Sequence, residues 1–383
     1  MHIIALEQKP SSQLGGQELN LYEITNALAQ RGHTITLVYL EEGDLLEKYK
    51  LFCNDLIQVK RYSVKEKTIW SFLRFSLGMP KDLHKIPTGD DSIIFCNDFS
   101  SVFFGSILSR LKNIPLVHYI QLPAYEFKFK WRPGLAKVNR FIAVSKQTKD
   151  SWIKLGISEA KASVVYNGTD IDKFKPSDDF HATRTELKFP NDARVISYVG
   201  RLNRDKGVET LIEAVAIAIR QDIKIHLFIA GNPVLSPKED SPEARVRYKQ
   251  SLKQLAVNLG IEKHVHFLGH VSNTVMLYQA SDVTVVPSVW PDPCPRVVIE
   301  ALATGTPVVA SSIGGITEQL MPTFQEWLFE PGNHLQLSEI LLSLKDWRYS
   351  QPSIGQKCRQ HIFDNFSSQK MMDGIENILL DMM

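Results

Sequence analysis

The chain has 383 residues, more than one hydrophobic core usually organises, and its 44% hydrophobic and 22% charged residues exclude a disordered or fibrous protein. A net charge of +2 argues against a dedicated nucleic-acid binder, whose basic surface moves the total much further. The four cysteines, Cys53, Cys96, Cys294 and Cys358, stand too far apart in sequence to suggest a zinc site or a disulfide framework, which points to a reducing compartment.

The opening Met1-His2-Ile3-Ile4-Ala5-Leu6-Glu7 has no basic lead and no small-residue cleavage site. No stretch approaches roughly 18 apolar residues, so the expectation is a cytoplasmic protein, soluble or at most peripheral at the inner membrane face. His2 to Leu6 reads as a strand and Pro10 to Gly16 as a loop. Leu21, Ile24 and Leu28 recur at helical spacing until Gly32, and Thr34 to Leu40 forms a second strand. Pro115 to Ile120 is apolar enough for a further strand, with Gln121 to Pro123 as its carboxyl-end loop.

The same grammar restarts half a chain later. Val195 to Val199 is a strand, Gly200 to Gly207 a loop, and Val208, Leu211, Ile212, Val215 and Ile219 a helical stripe leading to a strand at Ile225 to Ala230. Strands follow at Val265 to Leu268, Val283 to Val286 and Val308 to Ala310, with a helix at Arg296 to Ala303 and a last helix at Met371 to Leu380. Two β-α-β starts predict two doubly wound, Rossmann-like α/β domains facing across a cleft. The linker is expected at Asp172 to Asp179, giving an N-terminal domain of residues 1–172, with the tail 366–383 as a candidate to complete it, and a C-terminal domain of residues 173–365.

Ligands of such sheets bind beyond the carboxyl ends of the strands, and three loops lie there. Gly15-Gly16 precedes a helix whose backbone N–H groups can meet a phosphate, although glycine pairs are more often plain turns. Gly200-Arg201-Leu202-Asn203-Arg204-Asp205-Lys206-Gly207 gathers cations at a helix start, where they oppose the helix dipole unless an anion such as a diphosphate joins them. Pro287 to Ala301 holds Asp292 in a proline-stiffened loop and Glu300 in the following helix, two carboxylates able to accept from the hydroxyls of two rings of one ligand. Phe127-Lys128-Phe129-Lys130-Trp131-Arg132 reads either as a solvated amphipathic edge or as a contact with anionic lipid head groups.

The order Gly15-Gly16, Asn167-Gly168-Thr169-Asp170, Val199-Gly200-Arg201-Leu202 with Lys206-Gly207, Ala230-Gly231-Asn232, Phe267-Leu268-Gly269, Pro287-Ser288, the Asp292 and Glu300 pair, Gly305 to Ala310 and Gly314-Gly315 resembles family four of the retaining glycosyltransferases, a GT-B family. The match is dense from about residue 165 to 335 and thin from 41 to 114. The resemblance implies that Arg201 and Lys206 hold a donor diphosphate, Glu300 the ribose and Asp292 the transferred sugar. Backbone N–H groups at Arg296 and Val297 would face donor oxygens, and Gly16 the donor phosphates. It implies transfer with retention from a nucleotide sugar, UDP-linked by preference, to a glycan or lipid-linked acceptor, with no cofactor and no metal. Asp170-Ile171-Asp172 looks like a metal-binding pair of another transferase fold but falls where a turn or cap role is expected.

Three departures stand out. Asp292 replaces the family's glutamate, Cys294-Pro295 replaces Phe-Gly, and the family's frequent histidine falls on Gln121, with His118 the nearest imidazole. Both Gln121 and His118 are therefore candidates for the reaction face, with His118, inside the strand, read as the more structural of the two. A sugar-nucleotide epimerase and a non-catalytic nucleotide-sugar-binding subunit are the alternative functions.

Overall fold

A strand buried on both faces of a parallel sheet reads as an unbroken apolar run, and the Val- and Ile-rich segments above become such strands. The computed structural model describes residues 1–12, 15–60, 62, 79–124, 132–236 and 239–383. The chain divides into two units, Met1–Asn167 with Lys370–Met383, and Gly168–Gln369.

In the first unit β1 (His2–Glu7), β2 (Thr34–Tyr39), β3 (Asp55–Gln58), β4 (Ser92–Cys96), β5 (Leu116–Ile120), β6 (Arg140–Ala143) and β7 (Ala162–Val164) form a parallel sheet in the order β3-β2-β1-β4-β5-β6-β7. The order reverses between β1 and β4, which makes the carboxyl ends of those two strands the switch point where such sheets take ligands. Helix Gly16–Gln30 links β1 to β2 and buries the expected stripe Leu21, Ile24 and Leu28. The tail helix Ser368–Leu380 belongs with this unit from Lys370 onward, burying Met371, Met372, Ile375 and Leu379.

The second unit repeats the plan. Here β8 (Arg194–Val199), β9 (Ile225–Ala230), β10 (Val265–Gly269), β11 (Val283–Val286), β12 (Val308–Ser311) and β13 (Leu328–Phe329) run parallel in the order β10-β9-β8-β11-β12-β13. Its switch point lies between β8 and β11. Helices Val208–Ile219 and Arg296–Ala303 follow β8 and β11.

The units part at Asn167 and Gly168, a few residues before the expected linker. The reason is a pairing with the distant tail: Thr169 N–H donates to the Phe366 carbonyl at 2.9 Å and Ser368 N–H to the Thr169 carbonyl at 2.8 Å. The stretch expected as linker is ordered by local caps. Asp170 accepts from the N–H groups of Asp172 and Lys173, and Asp179 caps helix Phe180–Glu186 through His181 and Ala182. Among the described residues no helix is long and apolar enough to cross a membrane.

Candidate functional site

The loop after β8 is built so that its cations have fixed places. The Asn203 side chain accepts the Lys206 N–H at 3.1 Å and caps the 3-10 turn Arg204–Lys206. Gly207 then adopts φ 64° and starts helix Val208–Ile219. A Cβ at Gly207 would lie 2.0 Å from the Pro287 carbonyl oxygen, so glycine alone allows this loop to rest on the loop after β11. The Asp205 carbonyl closes the contact by accepting Val289 N–H at 2.9 Å and Trp290 N–H at 3.3 Å. Tyr198, buried behind the loop, donates its O–H to the Arg201 carbonyl at 2.7 Å, and the Arg201 side chain is exposed.

Lys206 and Asp292, from the two loops, form an ion pair through Nζ and Oδ2. Asp292 is held from its other side as well, because Gly315 N–H donates to its carbonyl at 2.8 Å. Gly314, at φ 62°, approaches so closely that a Cβ would be 2.5 Å from the Asp292 carbonyl oxygen. Gln319 braces the next residues, donating to Cys294 Sγ at 3.3 Å and to the Pro295 carbonyl at 3.2 Å. Helix Arg296–Ala303 follows with Pro295 as its first flanking residue and no side-chain cap from it, and its positive end lies at Arg296 and Val297. One turn on, both Glu300 oxygens are oriented: Oε1 accepts from Arg296 Nε at 3.2 Å and Oε2 from the Tyr278 O–H at 3.2 Å.

The structure thus brings Arg201, Lys206, Asp292, Arg296, Val297 and Glu300 to one switch point of the second unit. Chemically this is a cationic loop beside the positive end of a helix, with two carboxylates on the loop and helix that follow.

In the first unit Gly15 and Gly16 stand at the start of helix Gly16–Gln30, again with no side-chain cap. Gln121 follows β5 and is buried, its amide fully engaged: Nε2 donates to Asn97 Oδ1 at 2.6 Å and to the Gln17 carbonyl at 3.1 Å, and Oε1 accepts from Asn20 Nδ2 at 2.6 Å. His118 lies inside β5 with no exposed surface, ringed by Trp152, Phe99 and Phe141 at centroid distances of 5.3, 6.2 and 6.1 Å. Neither of its ring nitrogens has a hydrogen-bond partner among the described residues, and burial pushes its pKa down to about 3. Such an imidazole is a neutral packing group, out of reach of a substrate. The segment Phe127 to Trp131 lies outside the described residues.

Residue types did not reveal Tyr278 as the partner of Glu300, or Glu7, a buried carboxyl at the end of β1. The available signal for Glu7 was an acid closing an otherwise apolar strand.

Comparison with known proteins agrees with this architecture. The family Glycosyl transferases group 1 matches residues 179–361, and Glycosyltransferase Family 4 matches residues 14–173. An uncharacterized glycosyltransferase of Methanocaldococcus jannaschii is 27% identical over 332 residues, covering 81% of this chain and 80% of that protein. The D-inositol 3-phosphate glycosyltransferase of Corynebacterium urealyticum is 40% identical over 165 residues, 41% of this chain and 37% of that one. Among solved structures, Anabaena HepE in complex with UDP and glucose superposes over the whole of both chains with a TM-score of 0.81 at 22% identity. Sucrose-phosphate synthase from Thermosynechococcus elongatus gives 0.78 at 21%, over 100% of this chain and 98% of that one.

Two doubly wound units, with the family matches running through both, define a GT-B glycosyltransferase. The chain is a GT-B glycosyltransferase that resembles family four, its second half matching the group 1 glycosyltransferases and its first half Glycosyltransferase Family 4.

Proposed function

We propose that this transferase moves a hexose from a UDP-sugar to a hydroxyl of a glycan or lipid-linked acceptor, with retention of anomeric configuration and without a metal. The observation that carries this reading is the second switch point, where Arg201, Lys206 and the positive end of helix Arg296–Ala303 can meet a diphosphate, and Asp292 and Glu300 can meet two rings. UDP and glucose bound to a structural neighbour of the same fold support the choice of donor.

In this mechanism Arg201 and Lys206 take the developing charge on the diphosphate as its bond to sugar C1 breaks. The acceptor oxygen forms its bond to C1 on the same face, and its proton passes to the departing phosphate oxygen. No side chain has to act as a base, which suits a Gln121 whose amide is already engaged. Asp292, anchored through its carbonyl, grips the sugar, and Glu300 accepts from the ribose.

The test is transfer from a UDP-hexose in excess chelator, with the anomeric configuration of the product read by NMR. The expected result is UDP release that depends on acceptor, at full rate, with the donor's own anomer in the product. An inverted product would end the retaining reading, and activity restored only by added divalent cations would end the metal-independent one.

A further inference from the structure

The carboxyl end of β1 carries a glutamate as inaccessible as the aliphatic residues before it, with 2% of Glu7 exposed. A buried carboxyl needs hydrogen bonds, and Glu7 finds only amide donors among the described residues. Its Oε1 accepts Gln8 N–H at 2.8 Å and its Oε2 accepts Asn97 Nδ2 at 2.6 Å. The titratable groups around it are Asp98, Glu18 and Tyr49, and the Tyr62 O–H donates to the Glu7 carbonyl at 3.0 Å. Burial first, and then Asp98 and Glu18, push the Glu7 carboxyl well above the ordinary glutamate range.

From Glu7 a hydrogen-bond chain runs to the helix start of the same unit. Asn97 donates to Glu7, Gln121 donates to Asn97 Oδ1 at 2.6 Å, and Asn20 donates to Gln121 Oε1 at 2.6 Å and to Asn167 Oδ1 at 3.1 Å. The Tyr119 O–H closes the far end on Asn167 Oδ1 at 3.0 Å. From Asn20 back to Glu7 every donor points toward the carboxyl. The Gln17 carbonyl accepts both Gln121 Nε2 at 3.1 Å and Asn97 Nδ2 at 3.3 Å, so turning either amide over would set oxygen against oxygen. Gln17 Nε2 in turn donates to the Asn97 carbonyl at 2.6 Å.

We propose that Glu7 is a positioning residue: by accepting from Asn97 it orients the Gln121 amide and, through Gln17 and Asn20, the first turn of the helix that begins at Gly16. The proposal rests on the reading that the Gly16 and Gln121 edge of the first unit serves transfer. Simple packing would be met equally well by an isosteric amide. An amide at position 7, however, presents an NH2 group to one of two donors and breaks the polarity of the chain.

The experiment compares Glu7→Gln, the swapped pair Glu7→Gln with Asn97→Asp, and Gln121→Ala, each checked for its melting temperature. In the swapped pair an amide at 7 can donate to a carboxylate at 97, which still accepts from Gln121. Glu7→Gln is expected to lower kcat about tenfold or more, the scale on which small misplacements act. The UDP dissociation constant should stay within about twofold, because the nucleotide is held by the second unit. The swapped pair should recover a measurable part of kcat, short of the parent because a carboxylate at 97 no longer donates to the Gln17 carbonyl. Asn97→Ala, which cuts the same chain one residue later, serves in place of Glu7→Gln should that variant fail to fold, and the same loss is expected. Parental kcat in Glu7→Gln beside a loss in Gln121→Ala overturns the proposal and leaves the reading of the edge intact. Parental kcat in both overturns that reading too, and failure of the swapped pair to recover overturns the relay.

Discussion

His118 shows how one residue's surroundings outweigh its chemistry. Its ordinary pKa is 6.5 and burial lowers it to about 3 in the folded chain, so between those values only the unfolded chain binds the proton. Its contribution to stability is full above 6.5 and is lost as pH falls through that window. His118→Leu should keep the transfer rate, match or exceed parental stability at neutral pH by about 1 kcal/mol, and flatten the acid limb of a denaturation series. A rate collapse with a stable fold would return the ring to the chemistry. In the second unit, Glu300→Gln is expected to weaken UDP binding, whereas Asp292→Asn should mainly lower kcat. Parental affinity and rate in both variants would remove the paired-carboxylate reading. Residue types singled out Lys206 and Asp292 separately, but their pairing joins positions 86 apart and has no local signature. Glu7 stayed hidden for the related reason that an acid beside a loop is usually solvated.

At the scale of elements, apolar runs and helical stripes were legible where burial is continuous, as in β8, β9, β11 and helix Arg296–Ala303. The two-residue β13 was not, because so short a strand has no period to read. Nor could periodicity alone show where the tail helix docks. Arg31 donates to Glu376 and, at 2.7 Å, to Asp373, while the His33 ring meets Glu376 at 2.6 Å. The hydrogen bond from His33, followed by that from Arg31, holds the Glu376 carboxyl below its ordinary range. Its stabilisation is therefore present above the ordinary glutamate value of 4.5 and is lost as pH falls through the lowered one. Glu376→Ala should cost about 1 kcal/mol at pH 7, read by chemical denaturation, and the cost should vanish in acid. An equal cost at both pH values would contradict the ion-pair account and leave only packing.

For the whole molecule, two β-α-β starts half a chain apart were enough to predict two sheets, and both have the strand order that places ligands at a switch point. The parting of the units was read a few residues late, because the pairing of Thr169 with the segment before the tail helix is a contact across the length of the chain. The second unit's switch point is proposed to hold the donor diphosphate. It is tested most directly by calorimetric titration of UDP into the parent, Arg201→Ala and Lys206→Ala. Saturable binding by the parent is expected, with a loss of about 1.5 to 3 kcal/mol in each folded variant, one charge-assisted hydrogen bond apiece. Parental affinity in both variants would contradict it.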